Sequence, residues 1–215
     1  MQRGDIYEVN YCQEFHVENV AIDNPVGLFG RLSELTKAPH AAFIQTTDHV
    51  VLCASPERFM QKKGTLLRSE PIKGTAPRSK DKAQDQQIAT ALQNNPKERA
   101  ENIMIVDLVR NDLSQIAAKD SVKVEELCEI YSFETVHQMI SKISCQLNNS
   151  VGFSAVLEAC FPMGSMTGAP KIRAMEIIRE VEPFARGVYC GAVGWMSPDG
   201  DADFSVAIRT LSVEG

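Results

Sequence analysis

The chain has 215 residues, 44% of them hydrophobic and 23% charged, the balance of a soluble globular protein long enough for one large domain or two small ones. Its net charge of −6 argues against a nucleic-acid or anionic-membrane partner, and leaves room only for local basic sites. No apolar run reaches membrane-spanning length, the polar start does not read as a signal peptide, and six scattered cysteines lacking Cys-x-x-Cys spacing read as buried free thiols of a reducing, cytoplasmic compartment.

Tyr7, Val9, Tyr11, Phe15 and Val17 alternate with Glu8, Asn10, Cys12, Glu14 and His16, a period of two that predicts a strand with one apolar face. Asp23-Asn24-Pro25 starts a helix with Leu28, Leu32 and Leu35 on one stripe. Strand-like runs follow at Ala42 to Thr46, His49 to Ala54 and Thr65 to Ser69. Lys62-Lys63-Gly64 makes the turn before the last of them, so Lys73 falls just beyond a strand end. Asp81 to Gln93 reads as a helix, and Asn95-Pro96 opens a longer one running to about Ala117. Strands at Val122 to Glu125 and Val136 to Leu147 precede helices at Phe153 to Phe161 and from Ala169-Pro170 to Glu180. Two last strands, Val188 to Met196 and Asp203 to Leu211, flank a Pro198-Asp199-Gly200 turn. No repeat or linker interrupts this order, which predicts one α+β domain over residues 1–215 built on antiparallel sheet.

Four stretches carry candidate chemistry. Lys73 lies in Ser-Glu-Pro-Ile-Lys-Gly-Thr-Ala-Pro-Arg, between Pro71 and Gly74-Thr75, a rigid setting that would hold an amine still. Glu57, in Ser-Pro-Glu-Arg-Phe, follows a proline at a strand boundary; it is either a carboxyl fixed against a cleft or a surface partner of Arg58. Glu98 and Glu101 share a face of the long helix. A bare Glu-x-x-Glu is ordinarily a solvated surface, yet two carboxylates on a rigid element also suit Mg²⁺. Gly164 to Lys171 reads Gly-Ser-Met-Thr-Gly-Ala-Pro-Lys, a flexible loop entering a helix whose free amides can bind an anion, although phosphate-loop spacing is not met.

In this order and spacing the runs resemble the chorismate-utilising enzymes, from Gly4-Asp5-Ile6-Tyr7 to Ile208-Arg209-Thr210, and Pro-Ile-Lys-Gly-Thr resembles their aminodeoxychorismate synthase branch. The resemblance implies a sandwich of two antiparallel sheets with flanking helices and a central cleft, incomplete at both ends relative to the family. It implies chorismate as substrate and Mg²⁺ on Glu98 and Glu101 gripping the ring carboxylate. Glu57 becomes the acid/base at the C4 hydroxyl, and Lys73 the nucleophile at C2 or a fixed positive charge. Thr167, Gly168, Gly74 and Thr75 are implied to face the substrate, with Lys171 and Arg173 structural. Tyr189 and Arg209 match residues that hold the enolpyruvyl carboxylate, which suits the guanidinium fork. His137 matches a histidine beside the ring, although a lone strand histidine is also often satisfied in the core.

The implied reaction is amination of chorismate at C4 on the route to para-aminobenzoate and folate, with ammonia from a separate glutamine amidotransferase subunit. An acid working near neutrality needs a raised pKa, and an amine nucleophile needs an accessible neutral form. Glu8 departs from the family, whose water-using members tend to carry lysine near this position and whose ammonia-using members often carry glutamine. A carboxylate there argues against isochorismate chemistry. Two rivals stand: anthranilate synthase component I, where alanine usually replaces the Lys73 equivalent, and a catalytically silent chorismate-binding fragment or regulatory subunit.

Overall fold

The computed structural model describes residues 4–148 and 150–214. Helix starts follow local chemistry. Asn24 caps α1 (Pro25–Thr36) by accepting from the Gly27 N–H at 2.8 Å, and Asp81 caps α2 (Lys82–Gln93) through the Gln84 N–H at 2.8 Å. Asn95 accepts from Lys97 and Glu98 at the head of α3 (Pro96–Ser114), where Pro96 lacks only an N–H that would be orphaned anyway. Shorter helices α4 (Phe153–Cys160), α5 (Gly164–Thr167) and α6 (Lys171–Val181) follow.

The strands form antiparallel sheets. In the smaller one, β3 (His49–Ser55) lies between β2 (His40–Gln45) and β12 (Thr210–Glu214). The larger begins with β10 (Ala192–Met196), β11 (Ala202–Val206), β4 (Arg58–Lys63) and β5 (Leu66–Glu70). The long β8 (Val136–Gln146) comes next. It pairs with β5 at one end and β6 (Ile72–Pro77) at the other, and β7 (Lys123–Ser132) also pairs with it. A two-stranded ribbon joins β1 (Glu8–Val9) to β9 (Gly168–Ala169).

Two features of this layout position the site. The chain passes between the sheets twice, through Pro56-Glu57 after β3 and through Ala207 to Arg209 after β11. Bonds from Val206 N–H to the Glu57 carbonyl (3.0 Å) and from Ala54 N–H to the Arg209 carbonyl (3.2 Å) fasten these crossings together. The second feature is a bulge in β6: Ile72 faces Ile140 and Thr75 faces Gln138, so Lys73 and Gly74 together oppose Met139. A bulge bends the strand and re-aims the extra side chain, and Gly74 supplies the φ of +95° that it requires. The core lies between the larger sheet and α3 and α4, where Phe59, Leu67, Ile143, Val106, Leu113 and Val156 are buried. Among the described residues no helix is long and apolar enough to cross a membrane.

Several boundaries differ from the sequence-based expectation. Among the described residues the alternating run from Tyr7 to Val17 pairs only at Glu8–Val9; beyond it Tyr11, Phe15 and Val17 are exposed and meet no partner strand there. Lys73 lies within β6 rather than beyond a strand end. The strand expected from Asp203 to Leu211 breaks into β11 and β12, because Arg209 adopts a left-handed φ of 51° at the crossing.

Candidate active site

Glu57 sits at the first crossing and is 5% exposed. Its Oε1 accepts from the Ser165 hydroxyl at 2.7 Å, so it is not a surface partner of Arg58. That arginine is committed to Asp203 at 3.0 Å and Glu70 at 3.0 Å. Burial pushes the Glu57 carboxyl up to about 7, against the opposing pull of Ser165, the Ile72 backbone and the Lys73 charge. A carboxyl in that state is half protonated near neutrality, which a general acid needs. A cavity of about 20 Å³ is lined by Glu57, Ser69, Ile105, Asp112 and Ser165, room for about one water.

Lys73 is presented by the β6 bulge. Its ammonium is paired with Glu8 of β1 and reaches Asn10 Oδ1 at 3.4 Å. Its backbone carbonyl accepts from the Asn102 amide of α3 at 3.4 Å, and the same amide donates to the Met139 carbonyl at 3.2 Å. Asn102 is 1% exposed and ties the bulge to the helix behind it. Gly74 and Thr75 follow in the strand. Gly74 lies against α3, and a Cβ there would come within 3.2 Å of Glu98 Oε2; Thr75 is exposed.

The two helix carboxylates are disposed differently. Glu98 reaches the bulge beside Lys73, whereas Glu101 pairs with exposed Lys97 at 3.5 Å. Among the described residues no group of three or more His, Cys, Asp or Glu could hold a metal by itself. Mg²⁺ requires less, since it binds through one or two carboxylates and completes its shell with water and substrate oxygens. Glu98 at the site and Glu101 one turn further fit that demand, because Glu101 has only an exposed ion pair to give up.

Part of the expected anion loop is internally occupied. Amides of Met166 and Gly168 donate to Met163 (3.1 Å) and Gly164, and the Thr167 hydroxyl donates to Met163 at 3.0 Å. Thr167 also accepts from the Asn10 N–H at 2.9 Å. Gly168 lies under β1, where a Cβ would stand 2.1 Å from the Glu8 carbonyl oxygen. Lys171 pairs with buried Asp112 at 2.6 Å and Arg173 with Glu176 at 2.8 Å. At the second crossing, hydrogen bonds between Cys190 and Ala207 (2.9 Å) and between Ala207 and Gly191 (2.8 Å) tie the turn that bears Tyr189 to the segment that leads to Arg209. Both are exposed, and Arg209 makes no ion pair among the described residues. His137 is 2% exposed, with Nε2 3.0 Å from Asp85 and Nδ1 2.8 Å from Ser132. Both ring nitrogens are therefore taken by groups outside the cluster around Lys73.

Asn10, Asn102 and Ser165 were not singled out from the sequence. Asn102 was discoverable there, because it falls on the same α3 stripe as Ile105, Val106 and Leu113. A polar side chain on an apolar stripe must find buried partners.

A model of the chorismate binding enzyme family matches residues 1–215. The chain belongs to the chorismate-binding enzyme family. It is 44% identical over 212 residues to aminodeoxychorismate synthase component 1 of Salmonella typhimurium, covering 99% of this chain and 46% of that protein. It is also 38% identical over 212 residues to anthranilate synthase component 1 of Thermococcus kodakarensis, covering 99% of this chain and 48% of that one. The structure superposes on anthranilate synthase component I from Streptococcus pneumoniae with a TM-score of 0.82 at 34% identity, over 91% of this chain and 43% of the other. The chain thus has the chorismate-binding fold, mixed helix and antiparallel sheet. It spans about half the length of the curated relatives it matches.

Proposed function

We propose that the protein containing this chain aminates chorismate at C4, giving 4-amino-4-deoxychorismate. The observation that carries the reading is the convergence of a fixed amine and a buried acid. Lys73 is presented by a bulge, and its charge acts on Glu57, whose pKa of about 7 suits proton donation. Lys73 first passes one ammonium proton to Glu8, its ion-pair partner. The free amine attacks C2 while the C4–oxygen bond breaks through the conjugated diene, and it takes that proton back once the C2–Nζ bond has broken. Glu57 gives its proton to the departing hydroxyl, which leaves as water. Ammonia then bonds at C4 and the C2–Nζ bond breaks, returning the lysine.

In this reading Arg209 and Tyr189, both exposed, receive the enolpyruvyl carboxylate, a role that Arg58 cannot fill because it pairs with Asp203 and Glu70. Glu98 and Glu101 would hold Mg²⁺, which when bound neutralises the ring carboxylate. Gly74 and Thr75 flank the approach to Lys73. Gly168 and Thr167 act on substrate through β1, which they hold in place, and His137 supports the sheet edge through Asp85. The relatives' designation as component 1 supports a second subunit, for which a glutamine amidotransferase supplying ammonia is the matching chemistry.

A second reading, amination at C2 with loss of pyruvate, is favoured by the likeness to anthranilate synthase component 1. Lys73 favours the first. The test is product identity: full-length protein, chorismate, Mg²⁺ and an ammonium salt should yield 4-amino-4-deoxychorismate by mass and absorbance. Anthranilate with stoichiometric pyruvate would move the chain to the second reading.

A further inference from the structure

We infer that a buried knot of Asn102, Ser141 and Cys128 positions Lys73, by holding the β6 bulge at the register that aims its amine into the site. Asn102 is the positioning residue. The inference rests on the C4-amination reading.

Asn102 and Ser141 are 1% and 0% exposed, beside equally buried Cys128. Polar groups are costly there unless their hydrogen bonds are met, and at Asn102 every one is. The Cys128 N–H donates to Ser141 Oγ at 2.9 Å, and the Ser141 hydroxyl donates in turn to Asn102 Oδ1. The Cys128 thiol donates to the same oxygen at 3.7 Å. On its other side Asn102 Nδ2 donates to the carbonyls of Met139 and Lys73. The opposite orientation of the amide would set Oδ1 against two carbonyl oxygens.

The knot joins two bulges on either side of β8. Lys73 and Gly74 together oppose Met139. Leu127 and Cys128 together oppose Ser141, since Glu126 faces Lys142 and Glu129 faces Ile140, and Cys128 takes a left-handed φ of 56°. A bulge interrupts the ladder, so the backbone groups beside it need partners from elsewhere. The knot supplies partners to both.

The register of the β6 bulge decides where Lys73 points. Side chains opposite one another on paired strands share a face, and Met139 faces the small core that it forms with Leu92 and Cys128. Regular pairing of Lys73 with Met139 would turn the ammonium into that core. In the bulge Gly74 takes the core-facing place instead, where a Cβ would lie 3.4 Å from Leu92 Cδ1. Lys73 then faces the other way and pairs with Glu8. Removing the two Asn102 donors takes away the bonds that favour the bulge at this position over its neighbours.

The test compares full-length wild type with Asn102→Ala and Ser141→Ala. A water-soluble carbodiimide joins a carboxylate to an amine in contact with it, so the Lys73–Glu8 cross-link, counted by peptide mass spectrometry, reports where the amine points. The Lys171–Asp112 pair, with a similarly shielded lysine (13% against 14% exposed), is the internal reference for general loosening. Asn102→Ala should lower the Lys73–Glu8 cross-link about tenfold relative to the reference, the effect of losing buried hydrogen bonds, and Ser141→Ala at least about twofold. Turnover with chorismate, Mg²⁺ and an ammonium salt gives the second readout. In Asn102→Ala kcat should fall about tenfold with the KM for chorismate within about twofold of wild type, and the share of nitrogen delivered to C2 should rise. Destabilisation alone would make less product of the same identity. An unchanged cross-link ratio, or an equal fall at both pairs, overturns the positioning role. So does a slower Asn102→Ala enzyme with the wild-type product mixture, or a wild type that forms no Lys73–Glu8 cross-link. If wild type aminates nothing at C4, the reaction reading fails, and the cross-link ratio alone decides whether the knot holds Lys73. If Asn102→Ala does not fold, Ser141→Ala, which keeps both Asn102 donors, decides by the same readouts.

Discussion

Gly168→Ala tests whether the β1–β9 contact holds the site together. Gly168 has φ 136° and ψ −171°, a region open essentially to glycine alone, and a side chain forced there costs roughly 1–3 kcal/mol. The new Cβ would also lie 2.1 Å from the Glu8 carbonyl oxygen and 2.9 Å from Val9 Cα. Both are backbone atoms, so β1 must retreat. Its flanking bonds, Tyr7 N–H to Ala169 at 2.8 Å and Asn10 N–H to Thr167 at 2.9 Å, then stretch or break, at about 1 kcal/mol each. The sum is about 3–5 kcal/mol, or roughly 10 °C in melting temperature for a protein of this size. Circular dichroism melts of the full-length protein read the total, and amide exchange at Tyr7 and Asn10 reads the local opening. Because Glu8 and Asn10 ride on the displaced segment, amination should fall together with protection of those amides. A melting temperature within about 2 °C of wild type, with both amides still protected, would refute the reasoning: the ribbon would then tolerate a Cβ and Gly168 would not hold Glu8 in place.

Glu57 yields a pH prediction with a definite sign. Its folded pKa of about 7 lies above its ordinary 4.5 through burial, so the folded chain binds the proton more tightly than the unfolded one. The destabilisation from its charged form is absent below about pH 4.5, develops between there and about pH 7, and is complete above. Glu57→Gln should therefore be more stable than wild type above pH 7, by up to ~3 kcal/mol, in denaturant melts. The same substitution should remove the fall in kcat/KM expected as pH rises through 7; an unaltered profile would deny Glu57 the acid's role. For the metal, Glu98→Gln and Glu101→Gln should each weaken the Mg²⁺-dependent gain in chorismate affinity, measured by calorimetry. Equal affinity with and without Mg²⁺ in wild type would sink the assignment.

What could be read from the sequence was whatever is local. Caps such as Asn24, Asp81 and Asn95 fix helix starts within a few residues of themselves, and those helices begin where the sequence places them. The two strands beside the site were hidden because bulges break the period of two. In β4, Phe59 and Met60 are adjacent and both buried, set together against Ser69; in β6, Lys73 and Gly74 share one partner position. Conversely, the clean alternation after Val9 misled, since alternation records a face and not the presence of a neighbour to pair with. The site divides the same way. Motif recognition located Glu57, Lys73 and Glu98, which the fold gathers. The partners that set their chemistry, Ser165 on Glu57 and Asn10 and Glu8 on Lys73, come from far along the chain, and only the tertiary structure joins them. His137 shows the limit from the other side: its strand was legible, but its commitment to Asp85 was not.

The central claim is that the Lys73 amine performs chemistry at C2. Lys73→Ala in the full-length protein, assayed with chorismate, Mg²⁺ and ammonium salts, tests it most directly. Loss of a covalent nucleophile should lower the amination rate constant by about a hundredfold or more while chorismate binding changes far less. The remaining product should include nitrogen delivered directly to C2. An unchanged rate and an unchanged 4-amino-4-deoxychorismate product would contradict the account, leaving Lys73 only as the charge that pairs with Glu8.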